Sequence, residues 1–125
     1  MDRAVFLKIL KAKLHGATVT DARIDYTGSI GIDADLMRAV GILPYEAVLV
    51  ANITNGSRFE TYAIETDAGS GRFEVLGAAA HLARRGDKII VFGFSYCTAE
   101  ESVKVKPKVL VLDERNRAVP PGGTM

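Results

Sequence analysis

The stretch AVLVANIT-NG-SRFETYAIET, residues 47–66, restricts the fold more than any other part of the chain. Two runs rich in β-branched and aromatic residues flank Asn55-Gly56. Asn-Gly is the pair that most readily takes the positive φ angles of a tight hairpin turn. The two runs are therefore expected to pair as antiparallel strands joined by that turn.

The same character recurs along the chain. ATVTDARIDY (17–26) alternates β-branched and polar residues, and RFEVLG (72–77), KIIVFGFSYC (88–97) and PKVLVLD (107–113) read as further strands. VFLKILKAKL (5–14) fits either period, and Gly16 with a clear strand just behind it favours a strand. Asp33 is placed to cap a short helix, ADLMRAV, that stops at Gly41. GAAAHLARRG (77–86) ends in arginines and a glycine, as helix C-termini do. ERNRAVPPGGTM has no periodicity, so residues 1–113 are read as one β domain and 114–125 as a flexible tail. Short strands with two or three short helices predict a mainly β protein, a small closed barrel whose closure removes exposed edges.

A chain of 125 residues with 48% hydrophobic and 25% charged residues suits a single globular domain. The net charge of +1 gives no bulk electrostatic reason to expect nucleic acid as a partner. No apolar run approaches the ~20 residues needed to span a bilayer, so no membrane partner is expected. The start, MDRAVFLKILKAKLHG, carries lysines through its apolar stretch and has no small-residue cleavage site. Cys97 is alone, which excludes an internal disulfide and fits a cytoplasmic protein. His15 and His81 lack Cys or acidic partners at ligand spacing, so both read as structural and no metal site is expected.

One feature resists a purely structural reading. In YTGSIGID (26–33) a strand-like run breaks at Gly28-Ser29 and resumes at once. A turn is the ordinary explanation. The chemical one is that the Ser29 hydroxyl attacks the preceding carbonyl, an approach that a Cβ at residue 28 would block. The N-to-O shift gives an ester, β-elimination then cuts the chain, and hydrolysis of the dehydroalanine leaves a pyruvoyl group. Such a ketone forms a Schiff base with an amine and acts as an electron sink. A decarboxylase built on it needs a cation for the substrate carboxylate, a proton donor and a donor to polarise the scissile carbonyl. NGSRFETY supplies candidates in Arg58, Tyr62 and Thr61, and KAKLHG adds Lys13 as a second cation. On a regular strand Arg58 and Tyr62 share a face about 13 Å apart, while Thr61 points the other way.

The order KLHG…YTGSIGID…ITNGSRFETYAI…GAAAHL…GD resembles the bacterial aspartate 1-decarboxylases, pyruvoyl enzymes that make β-alanine for pantothenate. The likeness runs from Lys11 to Cys97, with a weaker echo to Asp113. It implies a double-psi β-barrel and a homotetramer with active sites between subunits. It also implies cleavage at Gly28-Ser29 into residues 1–28 and 29–125, with Ser29 becoming the pyruvoyl residue. Lys13 and Arg58 fall where the family binds the carboxylate of L-aspartate. Tyr62 falls on the proton donor, Thr61 on a residue implicated in processing, and Tyr26 on the tyrosine lining the pocket. Gly77, Ala78 and Ala79 belong to the family's Asn-Gly-Ala-Ala-Ala run. Here Leu76 replaces the asparagine and cannot hydrogen-bond, so either another polar group supplies that contact or self-cleavage and turnover suffer; processing is either spontaneous or assisted by a maturation helper protein. A decarboxylase of a related acidic amino acid, or a barrel scaffold that has lost its site, are the alternatives.

Overall fold

The computed structural model describes residues 3–120. Its strands are β1 (Leu7–Thr18), β2 (Asp21–Arg23), β3 (Ser29–Asp33), β4 (Ala47–Asn52), β5 (Arg58–Thr66), β6 (Phe73–Leu76), β7 (Lys88–Cys97) and β8 (Lys108–Val111). Helix α1 (Ala34–Val40) follows β3, and α2 (Ala99–Ser102) follows β7. The sheet order is β2-β6-β3-β5-β4-β7-β1-β8. β1/β8, β2/β6 and β3/β5 are parallel, and the remaining neighbours are antiparallel.

β2, at one edge of this order, continues β1, which lies next to the other edge. The sheet therefore curls round on itself as a small barrel. Val19 N–H donates to Asp87 O (2.9 Å) and Thr20 N–H to Phe73 O (2.8 Å), which ties the β1–β2 junction to both sides. Inward-facing side chains of several strands, among them Leu14, Ile30, Ile32, Val50, Phe73, Val75 and Val91, form one core. Along β5 the alternation holds: Phe59, Thr61 and Ala63 are covered, while Arg58, Glu60 and Tyr62 are exposed.

Two buried polar side chains lock the end of the barrel beneath α1. Asp33 accepts from the N–H groups of Asp35 (2.9 Å), Gly69 (3.0 Å) and Gly71 (2.8 Å). Burial alone would raise its pKa, but the amides of Gly71, Gly69, Asp35 and Leu36 hold it below the usual carboxylate range. Asn116 accepts from Thr18 N–H (2.7 Å) and donates to Thr18 O (2.9 Å) and Gly71 O (2.7 Å).

That second lock departs from the expectation of a flexible tail beginning at residue 114. Residues 114–119 turn back on the barrel, with Val119 N–H donating to Val111 O and Asn116 buried. A single asparagine satisfying three backbone groups carries no periodicity, so pattern reading misses it. Residues 121–125 of that tail lie outside the described residues. The other departures are local. The hairpin loop is residues 53–57 rather than Asn55-Gly56 alone, because Ile53 N–H and Thr54 Oγ1 bond to Lys88 on β7 instead of pairing with β5. The helix expected over 77–86 is only a 3-10 turn, Gly77–His81, whose first residue has φ +81°. The strand expected over 17–26 breaks into the end of β1, the short β2 and a turn. α2 was not expected, although Thr98 and Glu101 form the reciprocal capping box that marks its start.

Because Asp33 is held charged in the native state, its stabilisation is complete above the unfolded carboxylate pKa of about 4 and lost as pH falls through the lower native value. Asp33→Asn should lower stability by about 2 kcal/mol at pH 7, since one amide donor then faces an NH2 group. Urea unfolding should show this gap narrowing as the pH is taken below about 4. A gap that stays constant across that range would mean the carboxylate charge contributes nothing.

Candidate active site

Ser29 opens β3 and is 4% exposed. On one side it stands opposite Leu76 of β6. On the other, the parallel β3/β5 ladder pairs Ile30 with Ala63. One step back along that ladder sets Ser29 abreast of Tyr62, while Gly28 lies at a bend just before the strand. Opposed residues share a face of a sheet, so Arg23, Leu76, Ser29, Tyr62 and Ala47 form one row across β2, β6, β3, β5 and β4 on the outer face. Thr61 lies on the inner face of β5, next to Tyr62.

The chain before Ser29 is held by a backbone-to-backbone contact. A Cβ on Gly77 would lie 2.6 Å from Gly28 Cα, 2.7 Å from Gly28 N and 2.9 Å from Tyr26 O. Gly77 also has φ +81°, a conformation that costs other residues about 1–2 kcal/mol. Only glycine lets the corner between β6 and the 3-10 turn press against residues 26–28. Ala78 and Ala79 follow in that turn, Ala78 exposed and Ala79 half-buried. Leu82 O, just past the turn, accepts from Asn52 Nδ2 (3.0 Å), Asn55 Nδ2 (3.0 Å) and Ser57 Oγ (2.9 Å). The Asn-Gly-Ser hairpin thus fixes the turn that carries Gly77.

Tyr62 and Ser29 are neighbours, but the two cations are not brought to them. Arg58 is exposed at the start of β5, four residues and about 13 Å from Tyr62. Lys13 shares a row with Phe92, Leu49 and Glu60, three strand spacings or about 14 Å from β5. Its Nζ lies 5.8 Å from the Phe92 ring centroid. Tyr62 is 37% exposed and meets Tyr45 with ring centroids 6.4 Å apart.

Arg23, near this face, escaped the sequence reading. Arg23 donates from Nη1 to Tyr26 Oη at 2.7 Å. The signal was present as Asp21-x-Arg23-x-x-Tyr26, an alternating strand end followed by a turn. His15 shares a row with Ile90, Ala51 and Arg58, and its buried Nδ1 has no hydrogen-bond partner. Burial, then the charge of Lys13, lowers its pKa. No cluster of His, Cys, Asp and Glu able to hold a metal occurs among the described residues.

A model of the family described as aspartate decarboxylase matches residues 5–119. The aspartate 1-decarboxylase of Caulobacter vibrioides is 54% identical over 112 residues, which cover 90% of this chain and 95% of that protein. That of Dehalococcoides mccartyi is 50% identical over 109 residues, or 87% of this chain and 88% of the relative. The Thioalkalivibrio sulfidiphilus protein of the same name is 48% identical over 118 residues, 94% of each. With the match running through β1 to β8 and both sides of the Gly28-Ser29 bond, the chain belongs to the aspartate decarboxylase family.

Proposed function

We propose that the protein cuts its own chain between Gly28 and Ser29 and then decarboxylates L-aspartate to β-alanine and carbon dioxide, the supply of β-alanine for pantothenate. The observation that carries this reading is the seat of Ser29. A serine buried at a strand start sits between Tyr62 and Leu76, directly after a glycine pressed onto Gly77.

The chain's own residues account for the cleavage. The Ser29 hydroxyl adds to the Gly28 carbonyl carbon, and Thr61, beside Tyr62 on β5, polarises that carbonyl. The peptide nitrogen leaves and the acyl group passes to the Ser29 oxygen. Loss of the Ser29 Cα proton then expels Gly28 as a free carboxylate. Water converts the dehydroalanine left on residue 29 into a pyruvoyl group and releases ammonia. When present, that group supplies a ketone for the substrate amine and an electron sink as carbon dioxide leaves. Arg58 offers a bidentate fork to the side-chain carboxylate, with Lys13 as a second cation. Tyr62 Oη carries the proton destined for the carbon that loses carbon dioxide.

Arg58 and Lys13 stand too far from Ser29 within one chain for all of these roles. The functional unit is therefore a homo-oligomer, the family's tetramer, in which the outer face of one copy completes the site of another. That face is apolar as well as basic: Phe92 and Phe94 stack with centroids 6.3 Å apart beside Leu10 and Leu49, all only partly covered. Leu76 in the Ser29 row, whose side chain offers no hydrogen bond, favours cleavage assisted by a helper protein. A cytoplasmic setting suits the single, buried Cys97.

Intact mass spectrometry should find residues 1–28 and 29–125 as separate chains, the larger lighter by one ammonia than a simple hydrolysis product. Ser29→Ala should remain one chain. A fragment beginning with a free Ser29 amine would point to adventitious proteolysis and sink the mechanism. Gly77→Ala should slow cleavage more than tenfold, because the added carbon strikes backbone rather than a movable side chain. It should also cost more than about 1 kcal/mol in stability. Wild-type cleavage in that variant would show that the close approach is incidental. The mature enzyme should turn over aspartate about 100-fold faster than glutamate, whose extra methylene displaces the reacting carbon. Side-by-side assays of β-alanine and 4-aminobutyrate formation check this, and equal rates would transfer the assignment to a broader acidic-amino-acid decarboxylase.

A further inference from the structure

β2 is three residues long, yet both of its outward side chains are committed to one arrangement. Ala22 packs toward the core, which turns Asp21 and Arg23 to the outer face. Asp21 Oδ1 accepts from Ala22 N–H at 3.0 Å, and its Oδ2 accepts from Arg23 Nε at 2.8 Å. Arg23 then donates from Nη1 to Tyr26 Oη at 2.7 Å, with its guanidinium 5.1 Å from the Tyr26 ring centroid. The hydrogen bond from Arg23 is the main reason the Asp21 carboxyl is held below its usual range.

This arm has little to do with overall stability. The ion-pairing side chains are 49% and 38% exposed, and such pairs contribute little to folding. Its position is more telling. Arg23 stands directly opposite Leu76, which stands directly opposite Ser29. Residues 23–28 are otherwise exposed, and the Tyr26 carbonyl lies at the Gly77 corner that presses on Gly28. A fixed carboxylate, a fork that bridges and a phenol form a strut from β2 to the scissile loop, passing over an apolar residue that can hold nothing.

We propose that Arg23, braced by Asp21, is a positioning residue for Tyr26 and through it for the Gly28-Ser29 bond, supplying from β2 the polar hold that Leu76 cannot supply from β6. The proposal rests on the reading of Ser29 as the self-cleaving residue. Arg23 touches neither Ser29 nor substrate in this role. Its fork is needed because one guanidinium must serve Asp21 and Tyr26 together, which an ammonium at the end of a lysine does less well.

The test follows cleavage of freshly purified full-length wild type, Arg23→Met, Arg23→Lys, Tyr26→Phe and the Arg23→Met/Tyr26→Phe double variant on denaturing gels, with thermal melts in parallel. Arg23→Met should slow cleavage about tenfold, the worth of a charge-assisted hydrogen bond. Its melting temperature should stay within about 3 °C of wild type. Arg23→Lys should fall between the two. Because Arg23 acts through the Tyr26 hydroxyl, the double variant should be no slower than Tyr26→Phe alone. Matured Arg23→Met should lose kcat while keeping its KM for aspartate. Wild-type cleavage by Arg23→Met, or penalties that multiply in the double variant, would overturn the proposal and leave the reading of Ser29 standing. A wild-type chain that never cleaves would overturn both.

Discussion

A contact with no room for a side chain governs the rest of the site. Gly77 lies so close to Gly28 and Tyr26 that a methyl group there would overlap backbone at 2.6–2.9 Å. Its φ of +81° turns the chain sharply out of β6 into the 3-10 turn. The contact sets where β6 stops relative to the loop entering β3, and so fixes the row in which Ser29 sits. Moving that corner would shift Ser29 relative to both Leu76 and Tyr62. The corner is itself held from behind, since three side chains of the β4–β5 hairpin converge on Leu82 O. The hairpin and the cleavage loop, far apart in sequence, form one mechanical unit.

The β-rich character, the strand positions and the α1 cap were legible in the sequence because each is written locally, in alternation, a capping aspartate or a glycine stop. The arrangement of the site was legible only in part. That Thr61 and Tyr62 point to opposite faces follows from period two, and β5 keeps that period. What period two could not say is that Tyr62 comes abreast of Ser29. It does so because β3 runs parallel to β5, with Ile30 opposite Ala63. The five-residue hairpin loop, the shortened 77–81 turn and the Asn116 lock were hidden for a common reason. Each depends on a hydrogen-bond partner tens of residues away.

Arg23 shows the same limit from the other side. Read alone, Asp-x-Arg at a strand end is an ordinary exposed ion pair. Only the register, Arg23 against Leu76 against Ser29, gives it a neighbourhood. On the proposed reading, Leu76 and the Arg23 guanidinium one strand further out answer one polar requirement, met from β2 rather than from β6. Such an exchange leaves no trace in a motif, because the two positions are more than fifty residues apart in the chain.

The groups fall into two sets with different needs. Those assigned to cleavage, namely Gly28, Ser29, Thr61 and Gly77, are assembled by contacts inside one chain, through the β3/β5 ladder and the Gly77 corner. Those assigned to the substrate carboxylate, Arg58 and Lys13, lie on an outer sheet face that also exposes Phe92, Phe94 and Leu49 in part. On the proposed reading the two sets answer to different physics. Cleavage draws its reacting groups from one folded barrel, because the nucleophile and its target are adjacent residues. Turnover needs a second copy against the outer face, because a carboxylate cannot be gripped by two cations whose backbones lie about 16 Å apart on one sheet. Burying that apolar face would also drain water from around Arg58 and Lys13 and strengthen their hold on an anion. Assembly would then complete the site and set its electrostatics in the same step.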